Sequence, residues 1–171
     1  MNSISFLRHG SSLGPLLFRA EAGRLTGLFF ADQAHAPADR DERIASVNLE
    51  TLENTIREVD EYLAGERQEF GVEITAAGTD FQRAVWSEIA GIPYGETASY
   101  AEIARRVGSP EAVRAVGSAA GRNPLCLIVP CHRVIGSSGE VTGYAGGLER
   151  KRRLLELERA HAFASCTTSG W

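Results

Sequence analysis

Short apolar runs separated by turn residues fill the first thirty positions: Ile4 to Leu7, Ser11-Ser12-Leu13-Gly14, Leu16 to Phe18, Ala22-Gly23, then Leu25 to Phe30. Runs of this length punctuated by glycine and serine predict an antiparallel meander. Residues 31–46 mix Ala, Asp, Pro and Arg and read as a polar loop. From Asn48 the period becomes helical, with Leu52, Ile56, Val59 and Leu63 on one stripe and Gly65 as the stop, so a helix is expected to cover the sheet. Val72 to Thr75 is a candidate further strand, and Ala76 to Thr79 a linker.

The pattern turns helical throughout at Asp80, a candidate cap for a helix carrying Phe81, Val85 and Ile89 inward and ending before Gly91. Beyond the turn Pro93-Tyr94-Gly95, the residues Ser99-Tyr100-Ala101-Glu102 form a capping box for a short helix with Ile103 and Val107 inward, closed by Gly108. Ser109-Pro110 then opens another helix, expected to run to about Gly121. The pair reads as a helix-turn-helix, with a plain αα-hairpin as the alternative. Its second member is nearly bare over Gly117-Ser118-Ala119-Ala120-Gly121, at about 1 kcal/mol per glycine in helix propensity. Something must approach that backbone closely, either a tightly packed helix or a nucleic acid. Arg114, expected opposite Val113 and Val116, is placed to reach such a partner, although an arginine on a helix surface is usually just solvated.

Composition narrows the classes. With 171 residues, 43% hydrophobic, the chain can bury a real core as one domain or two small ones. No basic N-terminal stretch leads into an apolar segment, and no run approaches a membrane span, so a cytoplasmic protein with no membrane partner is expected. Three cysteines, at 126, 131 and 166, make no disulfide framework, and Cys126, Cys131 and His132 lack the spacing of a closed zinc site, so no metal is expected. The net charge of −4 is unevenly spread. Residues 1–99 hold 8 Arg against 16 acidic residues, whereas residues 100–153 hold 9 basic residues against 4 Glu. A basic patch on an acidic protein suits a phosphate-contacting face, and solvated helix faces give similar counts.

The basic half also carries the candidate chemistry, Pro130-Cys131-His132-Arg133-Val134, behind the apolar run Leu127-Ile128-Val129. A proline after a β-branched run stops ladder pairing and frees the following residues for a ligand. Cys126, among leucines, reads as a small buried hydrophobe; Cys131, among Pro, His and Arg, reads as a reactive thiol. A thiol is only a few per cent ionised at neutral pH, so it needs a base, and His132 is the obvious one. Neighbouring side chains in extended chain point to opposite faces, so contact between them requires a turn or a bridging water.

The chain resembles the O6-alkylguanine-DNA alkyltransferases, the methylated-DNA-protein-cysteine methyltransferases. The resemblance is carried by Phe81-Gln82, Ile92-Pro93-Tyr94-Gly95-Glu96-Thr97, Ser99-Tyr100, Arg114-Ala115-Val116-Gly117, Asn123-Pro124, Ile128 through Ile135, Gly143-Tyr144-Ala145-Gly146-Gly147 and Leu154 through Glu158, collinear over some 80 residues. It implies an α+β protein. Residues 1–76 would form an antiparallel sheet with a covering helix, ribonuclease H-like. Residues 77–159 would form a helical DNA-binding and transfer domain with the helix-turn-helix, and 160–171 a flexible tail.

The resemblance further implies a monomeric suicide repair protein without cofactor, acting on double-stranded DNA that carries O6-alkylguanine. Cooperativity along DNA, and activity on O4-alkylthymine, are left open. Cys131 would take the alkyl group, His132 would act as base through a water, and Glu158 would orient the imidazole. Tyr100 would protonate N3 of the leaving guanine and press on the neighbouring phosphate. Arg114 would fill the space of the flipped base, with Ala115, Gly117 and Ser118 in the minor groove. Asn123 would tie the helix-turn-helix to the active-site segment. The carbonyls of Cys131 and Val134, the amides of Tyr144, Ala145 and Gly146, and Arg133 would complete the substrate and DNA contacts. Ala145 stands where many relatives have serine, so a hydroxyl contact to O6 is absent. Cys166 is expected to be inert. Three other classes compete: a DNA-binding relative lacking the cysteine, which Cys131 argues against, a helix-turn-helix regulator, and a cysteine hydrolase.

Overall fold

The computed structural model describes residues 3–38 and 44–167, with side chains through Ala162. It is an α+β protein that divides into two compact units, one of residues 1–77 with Pro124–Ile128, the other of Gly78–Asn123 with the chain from Val129 onward. The second domain expected from sequence, 77–159, is therefore not one uninterrupted segment.

In the first unit, β1 (Ile4–Ser11), β2 (Gly14–Glu21) and β3 (Arg24–Phe30) form the antiparallel meander in the order β1-β2-β3. A register shift falls between Arg19 and Ala20. Leu16, Phe18, Ala20, Leu25, Leu28 and Phe30 are buried, and α1 (Ser46–Leu63) covers them. Its inward stripe is Leu52, Thr55, Val59 and Tyr62 rather than the expected Leu52, Ile56, Val59 and Leu63. Thr55 can turn inward because its hydroxyl donates to the Thr51 carbonyl at 2.6 Å within the helix itself, so no polar group is stranded. Gly65, at φ 78, ends the helix as expected. The candidate strand at 72–75 is reduced to a single parallel bridge, Leu25 to Ile74.

In the second unit, α2 (Asp80–Ala90) is capped by Thr79, not Asp80: the Thr79 hydroxyl accepts from the Gln82 amide while the Gln82 side chain accepts from the Thr79 amide. Trp86, not Phe81, joins Val85 and Ile89 in the buried face. A two-residue strand β4 (Ala98–Ser99) leads into α3 (Tyr100–Arg106), whose Ser99–Glu102 capping box is formed as the sequence predicts. Next comes α4 (Val113–Gly121), three residues shorter at its start than expected, because residues 110–112 form a turn. Strand β5 (Val134–Ile135) pairs in parallel with β4. The last element is α5 (Leu148–Thr167). It continues through most of the expected flexible tail; residues 168–171 and the Cys166 side chain lie outside the described residues. Among the described residues no helix is long and apolar enough to cross a membrane.

Candidate active site

The segment before Cys131 is not a sheet edge. Leu125 makes one bridge to Leu28, after which the chain turns twice. Leu127 sits at φ 70 while the Ile128 amide donates to the Cys126 carbonyl at 2.9 Å, a γ-turn. Pro130, at φ −81 and ψ 65, centres an inverse γ-turn closed by the Cys131 amide on the Val129 carbonyl at 2.8 Å. A single 3-10 turn then carries Cys131, His132 and Arg133. This supplies the turn that adjacent side chains need if both are to serve one site, and all three are buried.

Cys131 receives a hydrogen bond from Asn123, whose Nδ2 donates to Sγ at 3.2 Å and to the Val129 carbonyl at 2.8 Å. Asn123 follows the end of α4, so the helix-turn-helix and the thiol segment are joined by one side chain, as the resemblance implies. A donor aimed at sulfur favours the thiolate. Behind the thiol, His132 is fully buried and its Nε2 lies 3.0 Å from Glu158 Oε1. Burial pushes the His132 imidazole below its usual range, against the opposing pull of Glu158, with Arg133 and Lys151 adding to the depression. Burial would raise the Glu158 carboxyl, but hydrogen bonds from His132 and Arg133 overcome it and hold it at about 2. The pair at neutral pH is thus a neutral imidazole donating Nε2–H to a carboxylate, with the ring's lone pair on Nδ1.

Above Cys131 opens a cavity of about 490 Å³ whose walls include Tyr100, Arg114, Gly117, Gly121, Tyr144 and Ala145. Arg114 is exposed and makes no hydrogen bond or ion pair among the described residues. Val113, expected on the opposite side, shares the outer face with it, 37% exposed, and lines the same cavity, because α4 starts late and its inward residues are Val116, Ala119 and Ala120. A Cβ built on Gly117 or Gly121 would meet nothing within 4 Å, so no packing partner among the described residues requires those glycines to be bare. Ala115 and Ser118 are exposed on the same face.

One expectation needs correction. Arg133 is not on the surface: its side chain is 8% exposed, its Nε donates to both Glu158 oxygens at 2.7 and 2.9 Å, and Nη1 donates to the Ile92 carbonyl at 2.6 Å. Its guanidinium is committed inside the protein. The Val134 carbonyl accepts a hydrogen bond from Lys151 Nζ, which uses one of its two lone pairs. In the following loop Gly146 is buried while Tyr144 and Ala145 are half-exposed.

Lys151 is the residue that reading the sequence missed. It is the chain's single lysine, against 17 arginines, and it is fully buried. Its Nζ donates to the carbonyls of Thr142 at 2.8 Å and Gly143 at 3.0 Å and lies 3.4 Å from the Tyr100 hydroxyl. Burial lowers its ammonium to about 8, partly opposed by Cys131. A signal existed: Lys151, Leu154 and Glu158 fall at i, i+3 and i+7, the inner stripe of α5. The Tyr100 hydroxyl donates to the Thr142 carbonyl at 3.0 Å, and burial raises its phenol, as does the nearby Cys131, against that hydrogen bond.

Residues 80–160 match the DNA-binding domain model of 6-O-methylguanine DNA methyltransferase, and residues 9–76 match its ribonuclease-like domain. The chain is 46% identical over 157 residues to the methylated-DNA–protein-cysteine methyltransferase of Mycobacterium tuberculosis, covering 92% of this chain and 93% of that one. The crystal structure of the M. tuberculosis O6-methylguanine methyltransferase superposes with a TM-score of 0.83 at 44% identity, over 97% of this chain and 99% of the other. The structure of M. tuberculosis OGT in complex with DNA superposes at 0.80, again at 44% identity, over 92% and 94%. By sequence across both domains and by fold, the chain belongs to the 6-O-methylguanine DNA methyltransferase family.

Proposed function

We propose that this protein repairs DNA by transferring an alkyl group from O6 of guanine in duplex DNA to its own Cys131, once per molecule. The observation that carries this reading is the placement of Cys131 between a base relay and an open cavity. Asn123 donates to Sγ and His132–Glu158 stand behind it, while the cavity walls carry Arg114 and bare glycine backbone. The names of the relatives support the same chemistry, and the DNA complex of a 44% identical protein supports the partner.

In the proposed step the thiol proton passes through a water to His132 Nδ1, and Sγ attacks the alkyl carbon in line with the C–O6 bond. The new bond is C–S; the broken bond is C–O6, whose electron pair returns to the guanine ring. Tyr100 gives its hydroxyl proton to N3 of the leaving base, after exchanging its present acceptor, the Thr142 carbonyl, for that nitrogen. Glu158 stabilises the imidazolium that forms. The thioether is stable, so no second turnover follows.

An alkyl carbon inside the base stack is out of reach of a buried thiol, so the nucleotide must swing out, at a cost of a few kcal/mol. Arg114 entering the vacated space offsets part of that cost, and Ala115, Gly117 and Ser118 let the α4 backbone approach the minor groove. Action as a monomer, in the cytoplasm and without a cofactor, belongs to the same proposal. O4-alkylthymine, whose alkyl carbon presents the same chemistry, is the alternative substrate to be tried alongside.

Intact and peptide mass spectrometry after mixing with excess duplex carrying one O6-methylguanine tests the reading. One added methyl on Cys131 and one guanine restored per protein are expected. Tight binding with no adduct would leave a DNA-binding protein only, and repeated turnover without an adduct would mean different chemistry.

A further inference from the structure

The mechanism above uses Glu158 only through His132, yet most of the contacts on that carboxylate come from elsewhere. Oε1 lies 2.6 Å from Arg133 Nη2 and 2.7 Å from Arg133 Nε, against 3.0 Å from His132 Nε2, and Oε2 is 2.9 Å from Nε. The guanidinium is itself locked. Its Nη1 donates to the Ile92 carbonyl and its carbon stands 5.6 Å from the centre of the Tyr94 ring. Arginine suits this position because its planar fork can serve a carboxylate and a carbonyl at once, which an ammonium cannot.

A buried carboxylate must find a positive charge. With histidine as its one partner, Glu158 would satisfy that need by holding His132 as imidazolium, and an imidazolium has no lone pair with which to take a proton. We propose that Arg133 is a positioning residue of the transfer: it clamps and neutralises Glu158, so that His132 is aimed by the carboxylate but rests neutral, protonated on Nε2 and basic at Nδ1. The role in transfer rests on the function proposed above; the state of His132 can be read without DNA.

The other groups facing His132 push the same way or are neutral. Lys151, on α5, opposes a second positive charge, as Arg133 does, and Glu158 alone favours it. Cys131 is its neighbour on the turn. Helix α2, which packs on this turn, buries Val85, Trp86 and Ile89. Removing Arg133 therefore takes away one of two repelling cations and leaves the attracting anion uncompensated.

The test is a pH titration of the histidine ¹⁵N resonances. In the unsubstituted protein His132 should be the neutral Nε2–H tautomer at pH 7, titrating below the usual range; an imidazolium there would overturn the proposal. In R133M the titration should move up by about one pH unit or more, and alkyl transfer at pH 7 should slow by roughly tenfold. An unmoved titration would overturn it. R133K keeps the charge without the fork, so His132 should titrate as in the unsubstituted protein, while transfer slows a few-fold. The double variant R133M/E158Q removes both charges together and should return His132 to the low titration. Should R133M fail to fold, the double variant and the resting tautomer still decide the matter. Transfer from O6-methylguanine DNA by the unsubstituted protein separates failure of the functional reading from failure of this one.

Discussion

The two units bury their polar groups in different ways. In the first, Ser5, Asn48, Thr55 and Glu58 are buried, and what they bind is mostly backbone. Asn48 Nδ2 donates to the carbonyls of Ser3 and Ala20 and to Ser5 Oγ, its Oδ1 accepts from the Gly23 amide, and Glu58 accepts from the Gly71 amide. These residues hold chain segments in place, and the charged pairs of this unit, such as His9–Asp60 and Arg24–Glu73, stay partly or largely exposed. In the second unit Asn123, His132, Arg133, Lys151 and Glu158 are buried, and they bind one another, the thiol and the carbonyls around it. A buried charge network is a poor way to gain stability compared with apolar packing. A unit that keeps one beside a cavity is organised for chemistry.

Substitutions on the two sides should separate accordingly. The largest effect belongs to Cys131→Ala, which should abolish transfer while the dissociation constant for duplex DNA stays within a few-fold; residual transfer would mean another nucleophile. Glu158→Gln should slow single-turnover alkylation by about 10–100-fold with binding retained, and an unchanged rate would remove the relay. Arg114→Ala should slow repair of duplex by about tenfold but reaction with free O6-benzylguanine hardly at all; equal losses would remove its role in flipping.

Stability should divide along the same line. Leu52→Ala, at a fully buried apolar site of the first unit, should cost about 2–5 kcal/mol by denaturant unfolding, with little dependence on pH. The second unit should be sensitive to acid. His132, depressed by burial, loses its contribution as pH falls below the unfolded value near 6.5. Glu158, held at about 2 instead of 4.5, contributes on the order of 3 kcal/mol that is present above pH 4.5 and lost as pH falls through 2. Near-UV circular dichroism of Trp86 against pH checks this, and Glu158→Gln should flatten the profile. The smallest effect is expected for His9→Ala, at a partly exposed ion pair, within about 0.5 kcal/mol.

Much of both units was legible along the chain, because short apolar runs, glycine stops and capping boxes act locally. The meander, the covering helix and the Ser99–Glu102 start of α3 needed no distant partner to be read. Misjudged elements depended on distant or competing groups. Helix α1 presents Tyr62 inward instead of Leu63, and Leu127-Ile128-Val129, β-branched enough for a strand, is bent into γ-turns. In the site, the motif and the resemblance single out Cys131, His132 and Glu158, and the structure places His132 against Glu158 beside the thiol, whereas the burial of Arg133 has no signature along the chain.

The sequence by itself determined the meander, its covering helix, the paired short helices, the candidate thiol and the family, since each resides in local spacing or collinear motif. Only the tertiary structure decided which way the long basic side chains point. Lys151 stands between Arg150 and Arg152, as on a solvated surface, and Arg133 between His132 and Val134, and both cations are inside. The direction follows from where Glu158, Ile92 and the Thr142–Gly143 carbonyls come to lie, and those partners, 8 to 41 positions away, meet the cations only when the chain is folded.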